Sequence, residues 1–394
     1  MSKTIFENTE IAFKLKSDAE LRRAFLLFKM IGKQSLVKMG TSLTLFALKL
    51  RLPVKGIIRA TVFNHFCGGE NEHESMSVID TLYREGDVYS VLDYSIEGKE
   101  EEKQFEATSR RIIDLTLLAS KNKAMPFSVF KPTGLGRFEL WAKVSENQEL
   151  NEEEKAEWQR IYDRYDEICS IAKLYNVVVM IDAEHSWIQG AADKLCEEMM
   201  EKYNTDEPIV FNTLQCYRWD RLDYLKKEHQ KAKAKGYKLG FKIVRGAYLE
   251  LENERAIEKG YPTPICESKQ ATDEMFDSVL SYIMDNIEDI HLFCGTHNEN
   301  STLLGMHLLK EKKLKNNDPK VWFGQLYGMS DNISFNLAAE GYNTAKYLPF
   351  GPVEDVMPYL IRRAEENTSV AGQTSRELNL ITREIERRKK QKNK

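Results

Sequence analysis

The chain has 394 residues, of which 42% are hydrophobic and 30% are charged, a composition typical of a globular protein with a substantial core. A formal net charge of -4, with no zinc-finger or glycine–arginine pattern, argues against a nucleic-acid-binding protein, so we expect no nucleic acid partner. The six cysteines include no CxxC pair and we find no signal peptide, which favours a reducing compartment.

The first 87 residues are predicted to form a mostly helical arm with an uneven distribution of charge. Between Glu20 and Glu70 every charged residue is basic, and the cations of residues 22–59 alternate with Phe and Leu, as in amphipathic membrane-surface elements. The longest uncharged run of the arm, residues 39–48, is too short to span a bilayer. A helical subdomain packed on the main core explains the same pattern. Acidic residues within the first twenty positions disfavour a mitochondrial transit peptide.

From residue 88 onwards, short apolar runs alternate with long charged amphipathic segments. Continuous apolar runs indicate strands buried on both faces, as in a parallel sheet, and eight such units over about 280 residues match the size of a TIM barrel. We therefore predict an α/β fold, a (βα)8 TIM-type barrel over 88–368, preceded by the arm at 1–87 and followed by a C-terminal helix and basic tail at 369–394. The predicted strands are 88–96, 126–132, 177–183, 209–216, 239–247, 291–295, 321–326 and 344–350.

A doubly wound sheet is the alternative to a barrel. We find no GxGxxG after a strand and no GxxxxGK[ST], so neither phosphate-binding loop typical of that fold is present. The barrel is therefore the favoured architecture.

Polar and ionisable residues gather where the predicted strands end, which is where TIM barrels carry their chemistry. Asp182 and Glu184 lie two residues apart and share one strand face, but no His or third carboxylate has metal-ligand spacing, so we expect no metal site. The strand-end residues are Asp93, Glu97, Lys131, Asp182, Glu184, Gln215, Lys242, Arg245, Tyr248, Thr296, His297, Asn298, Gln325 and Tyr347.

The last strand leads into a helix predicted at 353–366, with Pro352 suited to its first turn. Arg362 and Arg363 are adjacent in this helix, and two neighbouring guanidinium groups repel each other unless an anion lies between them. Arginine binds carboxylates in a planar, bidentate manner, so the pair is a candidate clamp for a small carboxylate. A solvated pair on an outer face is the alternative.

These motifs together resemble the proline dehydrogenase family, and the resemblance covers nearly the whole chain. The monofunctional, eukaryotic-type branch is the most similar, because the fifth strand has lysine at position 242 and arginine at position 245. The motifs are Phe130-Lys-Pro-Thr133, Met180-Ile-Asp-Ala-Glu184, Phe211-Asn-Thr-Leu-Gln-Cys-Tyr217, Lys242-Ile-Val-Arg-Gly-Ala-Tyr-Leu249, Gly295-Thr-His-Asn298, Phe323-Gly-Gln-Leu-Tyr-Gly-Met329 and the stretch from Tyr347 to Asn367.

The resemblance implies roles for the substrate-binding residues. Arg362, Arg363 and Lys131 would hold the substrate carboxylate. Tyr347 would pack against the pyrrolidine ring and Leu326 would close the apolar side. The remaining implied roles are pairing of Asp182 with Lys131, a gate formed by Glu97 with Arg362, and a place for Tyr248 at the site, where a barrel-rim aromatic is the alternative.

The resemblance also implies FAD as the cofactor. Lys242 would lie near flavin N5 and influence the electronics of the ring, although an ammonium group fixes this hydrogen bond less rigidly than a guanidinium would. The other residues implied to contact FAD are Gln215, Arg245, Gly246, Thr296, His297, Asn298 and Glu366.

The activity implied is oxidation of L-proline to Δ1-pyrroline-5-carboxylate, with electrons passed to a membrane quinone and a separate pyrroline-5-carboxylate dehydrogenase downstream. We expect a cytoplasmic protein at the inner face of a bacterial membrane, or at the mitochondrial inner membrane in a eukaryote, in contact through residues 22–59 and the basic tail. A hydroxyproline dehydrogenase is one alternative, although such paralogues tend to replace the tyrosine at position 347. A non-catalytic proline or flavin sensor is another.

Overall fold

In the computed structural model, eight parallel strands form a closed barrel in the order of the sequence, which confirms the predicted (βα)8 architecture. The structure describes residues 5–33, 35, 37, 39–43, 50, 53–94, 101–369 and 373–393, with the backbone alone for 365–369 and 373. The strands are β1 (Tyr89–Tyr94), β2 (Phe127–Phe130), β3 (Val178–Ile181), β4 (Val210–Gln215), β5 (Leu239–Val244), β6 (Ile290–Gly295), β7 (Val321–Leu326) and β8 (Thr344–Phe350).

Helices precede, separate and follow the strands. None of those in the described part of the chain is long and apolar enough to cross a membrane. They are α1 (Thr9–Ala12), α2 (Asp18–Ile31), α3 (Lys55–Ile58), α4 (Asn64–Phe66), α5 (Glu72–Gly86), α6 (Glu102–Ser120), α7 (Phe138–Ser145), α8 (Glu152–Tyr175), α9 (Ser186–Tyr203), α10 (Arg221–Lys235), α11 (Leu249–Lys259), α12 (Lys269–Asp285), α13 (Glu299–Glu311), α14 (Asp331–Ala339), α15 (Met357–Ser369) and α16 (Gln373–Lys392).

Helix α15 begins four residues later than the sequence indicated. Residues 353–356 form a turn, in which the carbonyl of Pro352 accepts from the backbone N–H of Asp355 at 2.9 Å. The cause is Pro358, which has no N–H to donate and therefore fits only the first turn of a helix. The prediction of a helix starting at residue 353 was wrong, but Arg362 and Arg363 still lie in its middle.

The chain divides into two compact units, one formed by Met1–Glu97 with Gln325–Lys394 and the other by Gly98–Gly324. We call them the terminal unit and the central unit. The predicted domain boundaries at residues 87 and 368 differ from this division and stay a prediction.

The terminal unit joins the two ends of the chain. Helix α2 starts with a capping box, in which Ser17 Oγ accepts from the N–H of Glu20 and the Glu20 carboxylate accepts from the N–H of Ser17. Its apolar face, which includes Phe28, packs in one cluster with Leu380 and Ile381 of α16. This part of the basic arm is therefore a packed subdomain.

Ion pairs reinforce this junction between the ends. Glu7 pairs with both Arg376 and Arg383, and Arg388 pairs with Asp18 at 3.0 Å. Much of the basic charge of α16 is therefore neutralised within the terminal unit.

A buried charge cluster lies beside these pairs. Lys346 of β8, whose side chain is 1% exposed, pairs with Asp331 of α14 at 2.9 Å, and Lys16 pairs with the same carboxylate at 3.2 Å. Glu377 of α16 is also buried, and its carboxylate accepts from the backbone N–H of Ser330 at 2.6 Å. Burial and the neighbouring Asp331 raise the pKa of Glu377 to about 7, against the opposing effects of Lys346 and Lys16.

We expect Glu377→Gln to change how stability depends on pH. The folded protein binds the Glu377 proton more tightly than the unfolded chain, whose ordinary pKa is 4.5, so this group loses its stabilising effect as pH rises from 4.5 towards 7. Glutamine does not titrate, so the variant should gain up to about 3 kcal/mol relative to wild type across that interval. Denaturant titrations at several pH values measure the difference, and a difference independent of pH contradicts the assignment.

The central unit includes α7, in the segment after β2, and α11, in the segment after β5. Aromatic packing dominates its core: Trp141 of α7 contacts Trp158 edge to face at a ring distance of 5.0 Å, and Phe127 meets Phe293 in the same way at 5.2 Å. Helix α8 starts at a capping box of Asn151 and Glu154, which explains its sharp boundary.

Candidate active site

Lys242 and Asp182 form a buried ion pair in the central unit. Lys242 lies within β5, in register with Thr213 of β4, and Asp182 directly follows β3. The ammonium and carboxylate are in hydrogen-bond contact, and only 6% and 16% of the two side chains is exposed. The pairing of Asp182 with Lys131 that the resemblance implies stays a prediction. Buried charges of opposite sign hold each other in place, because leaving either one alone costs several kcal/mol.

Glu184 holds the segment after β2, which includes Lys131. Its two carboxylate oxygens accept from the backbone N–H and the hydroxyl of Thr133, at 2.9 Å and 2.8 Å. Gln215, at the end of β4, donates to the backbone carbonyl of Glu184 at 2.6 Å and accepts from the N–H of Ala247. These bonds connect the carboxyl ends of β2, β3, β4 and β5, and they explain why Gln215 is almost fully buried.

Arg245 follows β5 and has fixed partners on three sides. Its guanidinium donates to Asp273 of α12 at 2.7 Å, to Thr296 Oγ1 at 2.7 Å and to Ser301 Oγ at 3.0 Å. The same group lies 4.5 Å from the centre of the Phe276 ring. Burial acts to raise the pKa of Asp273, but hydrogen bonds from Lys269 and Arg245 hold it below its ordinary value.

The segment Thr296, His297 and Asn298 joins β6 to the N-terminus of α13. Asn298 is the N-cap, and its side-chain oxygen accepts from the backbone N–H groups of Asn300 and Ser301. Thr296 Oγ1 also accepts from the N–H of Asn298 at 3.1 Å. The segment therefore places a hydroxyl group and a helix N-terminus beside Arg245. Hydroxyl, guanidinium and helix N-terminal N–H groups are hydrogen-bond donors that bind phosphate groups.

Gly246 and Tyr248 lie in the turn after β5. Gly246 has a φ of +135°, and a Cβ at this position would lie 2.6 Å from the Tyr217 ring, so no larger residue fits. The ring of Tyr248 lies 4.2 Å from that of His185, which in turn lies 4.5 Å from Trp187. Tyr248 is therefore part of an aromatic stack at the carboxyl ends of β3 and β5.

The terminal unit contains the tyrosine and the arginine pair. Tyr347 lies in β8, in register with Val91 of β1, and its backbone carbonyl accepts from the N–H of Tyr327 at 2.8 Å. Arg363 is 8% exposed, and its guanidinium lies 5.3 Å from the centre of the Tyr359 ring. Arg362 is half-buried. The solvated outer-face alternative therefore does not hold for Arg363.

Leu326, at the end of β7, packs with the helix that carries the two arginines. It borders an apolar cluster that includes Met329 and, from α15, Met357, Tyr359 and Leu360. Of the remaining predicted site residues, Glu97 and the side chain of Glu366 lie outside the described residues. The structure thus groups Leu326, Tyr359 and Arg363 in one unit, and Asp182, Gln215, Lys242, Arg245, Thr296 and Asn298 in the other.

Tyr359, Asp273 and Ser301 were not among the predicted site residues. Tyr359 precedes Arg363 by four residues, which is the spacing that places two side chains on one helix face, so the helical pattern could have indicated it. Asp273 and Ser301 contact Arg245 from α12 and α13, and no local motif marks such contacts.

The central-unit residues fit a phosphate-containing cofactor. Arg245, with its orientation fixed by Asp273, lies beside two hydroxyl groups and a helix N-terminus, while Lys242 adds a second cation nearby on β5. Gln215 ends β4 and the glycine turn at Gly246 follows β5, so both lie at the carboxyl ends of neighbouring strands. This donor set suits the pyrophosphate and ring nitrogens of a dinucleotide.

An eight-stranded parallel barrel with ionisable groups at its strand ends is the arrangement of TIM-barrel enzymes. Residues 76–376 match the model of the proline dehydrogenase family, so the chain belongs to that family of oxidoreductases.

The relatives agree with this assignment. The chain is 34% identical to the carbapenem antibiotics biosynthesis protein CarD of Pectobacterium carotovorum subsp. carotovorum, over 92% of this chain and 94% of that protein. It is 31% identical to the mitochondrial proline dehydrogenase 1 of Dictyostelium discoideum, over 97% of this chain and 74% of that protein. It is also 31% identical to the hydroxyproline dehydrogenase of Xenopus laevis, over 95% of this chain and 88% of that protein.

A solved structure shows the same fold. The proline utilization A protein (PutA) of Bdellovibrio bacteriovorus superimposes with a TM-score of 0.71 over 93% of this chain, at 20% identity. The chain spans 37% of the length of that protein.

Proposed function

We propose that this chain oxidises L-proline to Δ1-pyrroline-5-carboxylate with FAD as its cofactor. The observation that carries the proposal is the almost complete burial of Arg363, beside the Tyr359 ring and in the helix that packs with Leu326. A buried guanidinium next to apolar and aromatic side chains suits a small amino acid that has one carboxylate and an apolar ring. Family membership and the relative from Dictyostelium discoideum support the same substrate.

In the terminal unit, we assign Arg362 and Arg363 to the substrate carboxylate. Tyr347 packs against the pyrrolidine ring and Leu326 provides an apolar wall, so that the ring carbon next to nitrogen is held in one orientation away from water. Lys131 of the central unit, named by the family resemblance, stays a prediction as a third carboxylate ligand.

In the central unit, we assign Arg245, Gly246, Thr296, His297 and Asn298 to the pyrophosphate and adenosine of FAD and Gln215 to its ring. Bound FAD supplies the hydride acceptor for the carbon–hydrogen bond next to the proline nitrogen. The Lys242 ammonium would donate a hydrogen bond to the flavin ring, and Asp182 fixes the position of that ammonium. Glu366 and the Glu97 gate stay predictions from the resemblance.

The visible absorption spectrum of the purified protein, before and after anaerobic addition of L-proline, tests this proposal. We expect a flavin spectrum that bleaches with proline. A flavin that stays oxidised overturns the substrate assignment, and colourless protein that takes up no added FAD overturns the cofactor and favours the sensor alternative.

Hydroxyproline is the second candidate substrate, because a hydroxyproline dehydrogenase is among the relatives. Tyr347 favours proline, since its large side chain in β8 is 8% exposed and leaves less room for a ring hydroxyl. We expect Tyr347→Ser to raise the ratio of kcat/KM for hydroxyproline over proline by about tenfold, an effect of pocket size. Steady-state kinetics with both substrates measures it. Tyr342→Ser, on the turn before β8, is the control, and an unchanged ratio in Tyr347→Ser contradicts the placement of the ring.

We further propose that reduced enzyme passes electrons to a membrane quinone, with a separate dehydrogenase for pyrroline-5-carboxylate downstream. Contact with an anionic membrane is supported by α2, where Leu26 and Met30 are exposed beside Arg22, Arg23 and Lys29. The same proposal predicts a place at the inner face of a bacterial membrane or at the mitochondrial inner membrane.

We expect the protein to sediment with vesicles that contain phosphatidylserine but not with vesicles of phosphatidylcholine alone, and to be released by salt. Leu26→Asp should weaken this binding severalfold, because it removes apolar contact and adds a negative charge. Leu174→Asp, at the end of α8, is the control, because Leu174 is also an exposed leucine. Binding that is unaffected by salt and by Leu26→Asp contradicts the hypothesis that α2 binds an anionic membrane electrostatically.

A further inference from the structure

The segment between β7 and α14 is held at every residue by groups from elsewhere in the terminal unit. We call residues 326–330 the β7–α14 loop. Lys346 Nζ donates to the carbonyls of Met329 at 2.5 Å and Leu326 at 3.5 Å, so one buried ammonium bridges both ends of the loop. The N–H of Tyr327 donates to the carbonyl of Tyr347 at 2.8 Å.

The N-terminal region holds the middle of the loop. His65 lies 2.9 Å from the carbonyl of Gly328, and burial lowers the pKa of His65 to about 3, so its neutral ring donates this bond from Nε2. Gly328 has a φ of +80°, and a Cβ there would lie 2.2 Å from the carbonyl oxygen of His65. The backbone can therefore approach this closely only with glycine at position 328.

The C-terminal helix, α16, holds Ser330, the last residue of the β7–α14 loop. Ser330 has a φ of +51°, in the left-handed region that non-glycine residues rarely adopt, and its N–H donates to the Glu377 carboxylate at 2.6 Å. Surrounding contacts must maintain such a conformation, because an isolated chain does not favour it. Glu377 is separated from Ser330 by 47 residues, so α16 directly constrains this loop.

We propose that Glu377 and Lys346 are positioning residues for substrate binding, acting through the β7–α14 loop on Leu326. The inference rests on the proposed function, in which Leu326 forms the apolar wall for the proline ring. Met329 belongs to the same apolar cluster as Tyr359 of α15, and Leu326, at the other end of the constrained backbone, packs against that cluster. Glu377 thereby connects the C-terminal helix to the same apolar cluster as the arginine helix, and it does so without contacting the substrate.

Glu377→Ala tests the proposal in the purified holoenzyme. Loss of one buried hydrogen bond to a backbone N–H should raise KM for L-proline by about tenfold and change kcat by less than about twofold, with the FAD content per chain unchanged. Glu377→Gln should restore KM, because its amide oxygen accepts the same bond. Arg383→Gln is the control, since it weakens the attachment of α16 at Glu7, away from the loop.

Hydrogen exchange followed by mass spectrometry gives a readout that needs no turnover. We expect peptides that cover residues 326–330 to exchange faster in Glu377→Ala, but not in Glu377→Gln or Arg383→Gln. If the alanine variant does not fold, Glu377→Asp, which shortens the side chain by one methylene, replaces it with an intermediate effect expected.

The outcomes separate the two proposals. A wild-type protein that proline does not reduce overturns the proposed function, while the exchange data still decide whether Glu377 constrains the loop. An active wild type with unchanged KM and exchange in Glu377→Ala overturns the inference. So does an equal rise in KM in Arg383→Gln, which would mean that α16 acts only as a structural support.

Discussion

Arg363→Met is expected to raise KM for L-proline by about 100-fold while the protein retains its FAD, because a buried guanidinium that binds a carboxylate contributes several kcal/mol. Arg363 is the more buried of the two adjacent arginines, and it lies over the Tyr359 ring in the middle of α15. The methionine keeps most of the aliphatic length of the side chain, so the change removes mainly charge and hydrogen bonds. Proline saturation curves and the visible absorbance per chain measure the two quantities.

The matched control is Arg110→Met on α6, where the side chain is 75% exposed and pairs with Glu106 of the same helix at 3.0 Å. This change should leave KM and FAD content as in wild type, since exposed pairs contribute little. Equal loss of proline saturation and FAD in Arg363→Met would mean that the arginine supports the helix and does not bind substrate. Melting temperatures of both variants establish whether the fold persists.

The sequence predicted the barrel well because strand burial leaves a local signal. Each of the eight apolar runs overlaps an observed strand, and the charged segments between them contain helices. The predicted start of α15 was wrong because both Pro352 and Pro358 suit the first turn of a helix. The prediction placed Pro352 in that turn, whereas the structure has Pro358 there.

Strand ends were the signal for the central-unit residues of the candidate site. Asp182, Gln215, Lys242, Arg245 and Thr296 were selected because β-strands of a parallel barrel all present their carboxyl ends on one side. The contact between Lys242 and Asp182 was not predictable, because spacing along the chain does not specify which side chains meet at the strand ends.

The contacts that constrain the β7–α14 loop could not be predicted from the sequence either. They join His65, Lys346 and Glu377, which are distant in the chain and lie in no shared motif. Only their burial indicates that each needs a polar partner, and burial is a property of the folded chain.

Lys242→Met is expected to destabilise the protein by about 3–5 kcal/mol, because it leaves the Asp182 carboxylate buried without its ammonium partner. The double variant Lys242→Met with Asp182→Leu should recover most of this loss, since an apolar pair can replace a buried ion pair without a cost in stability. Denaturant unfolding of the two variants measures the difference.

Catalysis should not recover in that double variant, and this separates the functional role of the pair from its structural role. Without the Lys242 donor, we expect reduction of the flavin by L-proline to slow by about 100-fold or more, the usual effect of losing one preorganised hydrogen bond at a reacting group. Lys238→Met is the control. Lys238 directly precedes β5, and its ammonium pairs with Asp289, with about a third of each side chain exposed. Loss of such an exposed pair should change stability and catalysis little. A stable double variant that reduces flavin at the wild-type rate would show that Lys242 and Asp182 serve only the fold, whereas a stable but slow one would assign the ammonium to the reaction, with Asp182 holding it in place.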